Sequence, residues 1–331
     1  PRSSKKSTTR SFNASSPIAH PFRHAGCRGG TGRARVELKN TIIGEGGSPV
    51  DPVDTLNPAD RMAGIVPGAF RSLSLLDFIP TGTTNSNLVE YTKDAGFTND
   101  AAETREGAQK PESDQDFELV SVPVRTIAHF IKISKQVMDD APAVQTYIDR
   151  RLRHGVLNRL QTQVVNGNGT SPNIAGILAS GNSTTVTAAT ADNDFDFANK
   201  LKYAVIAAEY SPSVYMINPQ DWGRMERLKK GTGDASYIGQ EGAINYLQNG
   251  LIPTLWGLPV VASNAIPQGT LICASSDAMM LWQRSGVLVE AFEQDSDNVV
   301  KNLVTIRAEM RGAFSVFQSA AIQKGTLPDS V

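Results

Sequence analysis

The chain has 331 residues, of which 40% are hydrophobic, 20% charged and 7% aromatic, with a formal net charge of −1. This composition suits a globular protein with a largely aliphatic core and room for about two domains, and it excludes a surface coated uniformly by nucleic acid. No apolar run approaches the roughly 18 residues that cross a bilayer and no secretory leader opens the sequence, while two cysteines, Cys27 and Cys273, and four histidines leave no disulfide framework and no expected metal or cofactor site.

The cysteine usage points to folding in a reducing, cytoplasmic compartment. Charge is unevenly spread. In residues 1–40 nine basic side chains stand against one acidic, a balance of +8, whereas the rest of the chain has 23 basic and 32 acidic, a balance of −9. Ser, Thr, Gly, Pro and Arg dominate residues 1–60, and no helical or strand period persists there. Such a segment cannot offset its own ordering entropy. It reads as an N-terminal arm held by the acidic bodies of neighbouring subunits or by DNA phosphates. The sequence opens at Pro1 without Met, which fits a processed terminus or a choice of numbering.

Residues 65–86 connect this arm to a body. From Leu88 an extended segment leads into a polar stretch at 93–116, and Phe117 to Ser134 is rich in Val, Ile and Phe. Two extended arms around a polar tip predict a long β-hairpin, with Phe117 to Ser134 as one strand. A helix of roughly 25 residues follows, about 37 Å long. Val144, Ile148, Leu152, Val156, Leu160 and Val164 recur along it, Asp139 or Asp140 suits its cap and Pro142 its first turn, and Asn166-Gly167-Asn168-Gly169 ends it. Residues 173–288 read as a second, mixed unit. Phe195 to Glu209 predicts a helix, Val214 to Ile217 a buried strand, and Trp222 and Met225 lie on another helix. Trp256 to Ala262 and Gly269 to Ala274 predict strands. In 289–331, Asn302 to Phe317 predicts a strand with Val304, Ile306, Ala308 and Met310 on one face and Thr305, Arg307, Glu309 and Arg311 on the other.

Seven segments in this order resemble a known family. They are Ile65-Val-Pro-Gly68, Lys110-Pro-Glu-Ser-Asp114, Val137-Met-Asp-Asp-Ala-Pro142, Asn166-Gly-Asn-Gly-Thr170, Asn218-Pro-Gln-Asp-Trp222, Trp256-Gly-Leu-Pro-Val-Val261 and Val300-Lys-Asn302. Over residues 62–326 the chain resembles the major capsid proteins of tailed double-stranded-DNA bacteriophages, of the Hong Kong 97 type. The resemblance implies an α+β fold with an N-terminal arm (1–64), an extended hairpin loop (87–124) reaching over a neighbour, and a peripheral domain built on the long helix (125–172 and 289–331). It also implies an axial domain (173–288) that meets others at capsomer centres. It implies a scaffolding segment removed from ahead of the arm.

In the type member of that family, subunits are joined by isopeptide bonds between a lysine in the hairpin loop and an asparagine near the last strand, with a glutamate seven residues later. Lys110, Asn302 and Glu309 match those three positions. The chemistry needs these residue types. An ordinary lysine amine titrates near 10.4, so about one in 10³ is neutral and nucleophilic at pH 7; burial and a carboxylate acting as base correct that. Along a strand, Asn302 and Glu309 would lie roughly 23 Å apart on opposite faces, so different subunits must supply the parts. The plainer readings are a solvated loop lysine at Lys110, a turn residue at Asn302, and a Glu309 that pairs with Arg307 or Arg311.

Other features carry weaker chemistry. Gly167-Asn168-Gly169-Thr170 lacks the following Lys-Ser/Thr of a phosphate loop and reads as a helix-ending turn. His129 reads as a core or pairing side chain, and Asp139-Asp140 as a cap. The sequence therefore predicts a structural, non-enzymatic shell protein of the virion, assembled in the bacterial host cytoplasm, with at most single-turnover crosslinking. Its partners would be other copies in pentamers and hexamers, enclosed double-stranded DNA, a portal, a protease or scaffold and a cement protein, with no membrane. The rivals are an encapsulin-like nanocompartment shell and a soluble enzyme using Glu309 or Asp139 and Asp140.

Overall fold

The computed structural model describes residues 66, 68–72, 74–140, 142–229, 244–246, 253–295 and 297–328. The arm expected over 1–64, with its basic residues and Cys27, lies outside the described residues.

Residues 68–72 run along the long helix described below. Phe70 sits with Arg150 and Arg151 at 5.3 and 4.9 Å from its ring centroid and packs edge-on to His154. Arg71 donates to Asn158 Oδ1 at 2.9 Å, and burial lowers the pKa of its guanidinium. Helix α1 (Ser74–Asp77) and strand β1 (Thr81–Thr83) follow.

Strands β2 (Leu88–Thr98) and β3 (Asp114–Pro123) form an antiparallel two-stranded hairpin, registered from Leu88–Pro123 to Thr98–Asp114. The side chains of Val89, Tyr91, Val120 and Val122 are partly buried on one face. Tyr91 donates its hydroxyl to the Val316 carbonyl at 2.9 Å and packs edge-on against Phe317. Burial, then Glu118, raises the Tyr91 pKa, so the hydroxyl keeps its proton. The other face leaves Phe97, Phe117 and Leu119 exposed.

The expected single strand from Phe117 to Ser134 is two strands in different sheets. β4 (Arg125–Ser134) begins after a break at Val124, whose N–H donates to the Asn87 carbonyl. Pro123 has no N–H to continue a ladder, and the run of apolar residues across it hides the turn. Asp139 and Asp140 end a separate short helix, α2 (Lys135–Asp140), just ahead of the long one.

Helix α3 spans Pro142–Asn166, 25 residues. Its buried side chains Leu152, Val156, Leu160 and Val164 meet Val304, Ile306, Ala308 and Met310 in one apolar cluster. Strand β5 (Thr184–Thr185) and helix α4 (Asp194–Ala207) come next; Asn193 caps α4 by accepting from the Asp196 N–H at 2.8 Å. Then come β6 (Val214–Ile217), α5 (Pro219–Met225), β7 (Ile244–Tyr246), β8 (Pro253–Leu255), β9 (Leu258–Ala262) and β10 (Thr270–Ala274). Asn218 caps α5 ahead of Pro219, which is preorganised for a first turn. Trp256 is not part of a strand. With φ of 50° at Trp256 and 82° at Gly257, these two residues make a tight turn joining β8 to β9, and positive φ at both central positions is what such turns require.

The chain ends in β11 (Met279–Phe292), α6 (Asn298–Lys301), β12 (Leu303–Val316) and β13 (Ile322–Thr326). A four-stranded sheet runs β1-β11-β12-β4, and a seven-stranded sheet runs β5-β13-β10-β6-β9-β8-β7. The second sheet is buried on both sides. Met216, Ile272 and Ile322 join the cluster that contains α3, while Tyr215, Ile217, Leu271 and Cys273 join one with Phe195, Phe197 and Leu201 of α4. Alternation along a strand produces this split. The first sheet carries α3 on one face only. Its other face displays Leu288, Phe292 and Phe130, which stay exposed.

Candidate crosslinking site

Asn302 stands in the link between α6 and β12. Its backbone is left-handed, with φ 52° and ψ 45°, and it ends α6. Asn is among the few residues that take this conformation at low cost. Its carbonyl accepts from the Lys135 N–H at 2.9 Å, which anchors the turn to the end of β4. The residue itself is exposed, and on α6 beside it Val299 and Val300 are 70% and 88% exposed. The strand expected from Asn302 therefore begins one residue later, at Leu303.

Glu309 lies within β12, opposite Leu288 of β11 and Ala128 of β4. Val304, Ile306, Ala308 and Met310 point into the core, so Arg307, Glu309 and Arg311 share the outer face of the sheet. Glu309 Oε2 is 3.6 Å from Arg307 Nε, and the pair is partly exposed. Arg307 also donates to Glu290 Oε2 at 2.9 Å and stacks over Phe292 at 4.9 Å. Arg311 turns elsewhere, to Asn87 Oδ1 at 3.3 Å. Next to Arg307 an open groove of about 840 Å³ lies between Phe130, Phe292, Asp295 and Thr305.

Lys110 is exposed in the 99–113 loop at the tip of the β2–β3 hairpin. Among the described residues, no hydrogen bond or ion pair joins it to Asn302 or Glu309. The three candidates thus occupy a hairpin tip, a helix-to-strand turn and the middle of a strand. Sequence reasoning missed the Glu290 and Phe292 environment of Arg307 because it did not place β11. The signal was present but weak: Val287, Val289 and Phe292 favour strands, while Glu290 and Ala291 do not.

The weaker candidates have local roles. His129 Nε2–H donates to the Leu152 carbonyl at 2.9 Å, which ties β4 to α3. Among the described residues no group of His, Cys, Asp and Glu could hold a metal ion. The Gly167–Thr170 segment closes α3: Gly167 N–H donates to Gln163 O, and Gly169 has φ 74°. Cys273 is free and buried, and burial pushes its thiol up to about 12, with Lys202 pulling slightly the other way. Among the described residues no helix is long and apolar enough to cross a membrane.

Comparison with known proteins gives the context for these positions. A family model described as the phage capsid family matches residues 54–327. The major capsid protein of Enterobacteria phage HK97 is 36% identical over 283 residues, covering 85% of this chain and 71% of that protein. In structure, the capsid of a native GTA particle matches with a TM-score of 0.65 at 19% identity, covering 83% of this chain and 97% of that one. A chain from Mycobacterium phage Bobi matches at 0.63 and 17% identity, over 83% and 96%. These likenesses show the Hong Kong 97-like α+β capsid fold. By its family match and by its identity to the HK97 protein, the chain belongs to the phage capsid family.

Proposed function

We propose that this phage capsid protein, a shell component of the virion, assembles as pentamers and hexamers into an icosahedral head around double-stranded DNA. We further propose that neighbouring subunits are then locked by an isopeptide bond from Lys110 to Asn302, with Glu309 as general base. The observation that carries this reading is placement. Lys110 and Asn302 are exposed and Glu309 is partly so, they stand on three different elements, and among the described residues no hydrogen bond or ion pair joins them, which suits a reaction between copies.

The reaction balances without a cofactor. Glu309 takes a proton from the Lys110 ammonium. The freed Nζ attacks Cγ of Asn302 in a second subunit, forming a C–N bond. Glu309 passes that proton to the departing nitrogen, the original Cγ–Nδ2 bond breaks, and the second Nζ proton goes to Glu309 and on to the departing ammonia, which leaves as ammonium. A docked neighbour would exclude water from the lysine, and the exposed Val299 and Val300 beside Asn302 supply an apolar border for that contact. The division into arm (1–64), connection (65–86), extended loop (87–124), peripheral domain (125–172 and 289–331) and axial domain (173–288) is part of the same proposal. So are assembly in the host cytoplasm, the portal, protease or scaffold, and a cement protein outside.

The test is a denaturing gel of mature shells, followed by peptide mass mapping. The expected result is a ladder, with a Lys110–Asn302 peptide pair lighter by one ammonia. A single band at the monomer position from fully mature shells would remove the crosslink from the proposal and leave assembly standing.

A further inference from the structure

The environment of Glu309 carries an inference about control of the crosslink, and it rests on the reading that Glu309 is the base. Arg307 contacts two carboxylates on the same sheet face. One is Glu290, its direct cross-strand partner, at hydrogen-bond distance of 2.9 Å. The other is Glu309, at 3.6 Å, which is attraction between charges and not a made hydrogen bond. Phe292 supports the guanidinium from one side at 4.9 Å. The other cations nearby are committed elsewhere: Lys132 lies 3.5 Å from Asp295, and Arg311 donates to Asn87. The cross-strand neighbours of Glu309, Leu288 and Ala128, carry no charge.

An incoming lysine ammonium must therefore share Glu309 with a guanidinium already beside it. Like charges repel, and the two cations compete for one carboxylate. We propose that Arg307 is a positioning residue that restrains Glu309 before a neighbour's lysine arrives, and that Glu290 with Phe292 is the seat that holds Arg307 when it yields. The restraint slows crosslinking where a neighbour's lysine approaches before the interface has seated, while a lysine held by the finished interface displaces it.

The experiment follows the rate at which ladders form in expanded shells of full-length protein. Arg307→Met removes the competitor and should speed crosslinking roughly two- to fivefold, the range an exposed ion pair commands. Glu290→Gln removes the alternative seat, presses Arg307 onto Glu309, and should slow it by a similar factor. Arg307→Lys keeps the charge and should stay near the wild-type rate. Added salt should narrow the gap between wild type and Arg307→Met, because exposed pairs are screened. A purely structural role for Arg307 would not give opposite signs in the two variants. Unchanged or slower crosslinking in Arg307→Met, or faster crosslinking in Glu290→Gln, overturns the inference while leaving Glu309 as base. If Arg307→Met forms no shells, Glu290→Gln decides alone. Wild-type shells without any crosslink overturn both this inference and the reaction beneath it.

Discussion

His129 reaches α3 through the gap left by Gly155. Its Nε2–H closes on the Leu152 carbonyl at 2.9 Å, and a Cβ on Gly155 would lie 2.6 Å from its Cε1. A glycine inside a helix costs about 1 kcal/mol relative to alanine, so the position is held against local preference by a contact with the neighbouring strand. Gly155→Ala should fail to deliver that gain, because it displaces the His129 ring and its hydrogen bond. In a His129→Ala background the same substitution should stabilise by about 0.5–1 kcal/mol. Thermal or denaturant unfolding of the four variants measures the coupling. Equal effects of Gly155→Ala in both backgrounds would refute it.

Substitutions at the matched trio should separate assembly from locking. Lys110→Arg should assemble but show no ladder, because a guanidinium stays protonated and does not attack. Asn302→Asp should behave alike, since a carboxylate is a poor electrophile, and aspartate also tolerates the left-handed backbone there. Glu309→Gln should assemble and crosslink at least 10²-fold more slowly, the usual loss when a general base is removed. Electron microscopy reads the first property and denaturing gels the second.

The outer face of the β2–β3 hairpin should act in assembly and not in folding. Phe117 and Leu119 are 71% and 67% exposed there. Phe117→Ser with Leu119→Ser should leave the melting temperature of the unassembled chain nearly unchanged. Covering each side chain in a neighbour's surface is worth about 1.5–3 kcal/mol. The threshold concentration for shells should therefore rise tenfold or more, as read by light scattering. Shells forming at the wild-type threshold would show that this face stays in solvent.

Cys273 and Tyr215 sit opposite each other on β10 and β6, and burial raises both pKa values, the thiol to about 12. The sign of the pH effect follows. Above the ordinary thiol range near pH 9 the unfolded chain loses the Cys273 proton while the folded chain keeps it, so stability falls as pH rises between about 9 and 12. Melting between pH 8 and pH 11 should show a smaller alkaline loss in Cys273→Ala than in wild type. At neutral pH a maleimide should leave Cys273 unlabelled in the folded chain, which peptide mapping distinguishes from Cys27.

The parts of this fold that were legible in sequence are those where one period runs long. Helix α3 has its apolar positions spread over 25 residues, and β12 alternates cleanly from Val304 to Met310. The break at Val124 was not legible, because apolar residues continue across it and only tertiary pairing decides which sheet each half joins. Strand β11 escaped notice because its ladder slips twice between Gln283 and Leu288, which blurs alternation. That omission also hid Glu290, and with it the second partner of Arg307. Lys110, Asn302 and Glu309 were found through resemblance alone. Nothing in their own spacing distinguishes them from a loop lysine, a turn asparagine and a strand glutamate.

The tether of the hairpin to the end of β12 has a mechanical consequence. Tyr91 fixes the hairpin to Val316, and Gln318 donates to the Asp94 carbonyl at 3.1 Å. From Tyr91 to Thr98 the strand runs about 23 Å at roughly 3.3 Å per residue. A tilt of about 5° at that pivot therefore sweeps the far end through about 2 Å, beyond the roughly 1 Å misplacement that already costs an attack about 10²-fold. If the hairpin reaches a neighbour as proposed, it would work as a lever that magnifies small errors in the angle between subunits. A bond made at its tip would then report that the local curvature of the shell is right, and a misangled neighbour would stay unbonded and free to leave.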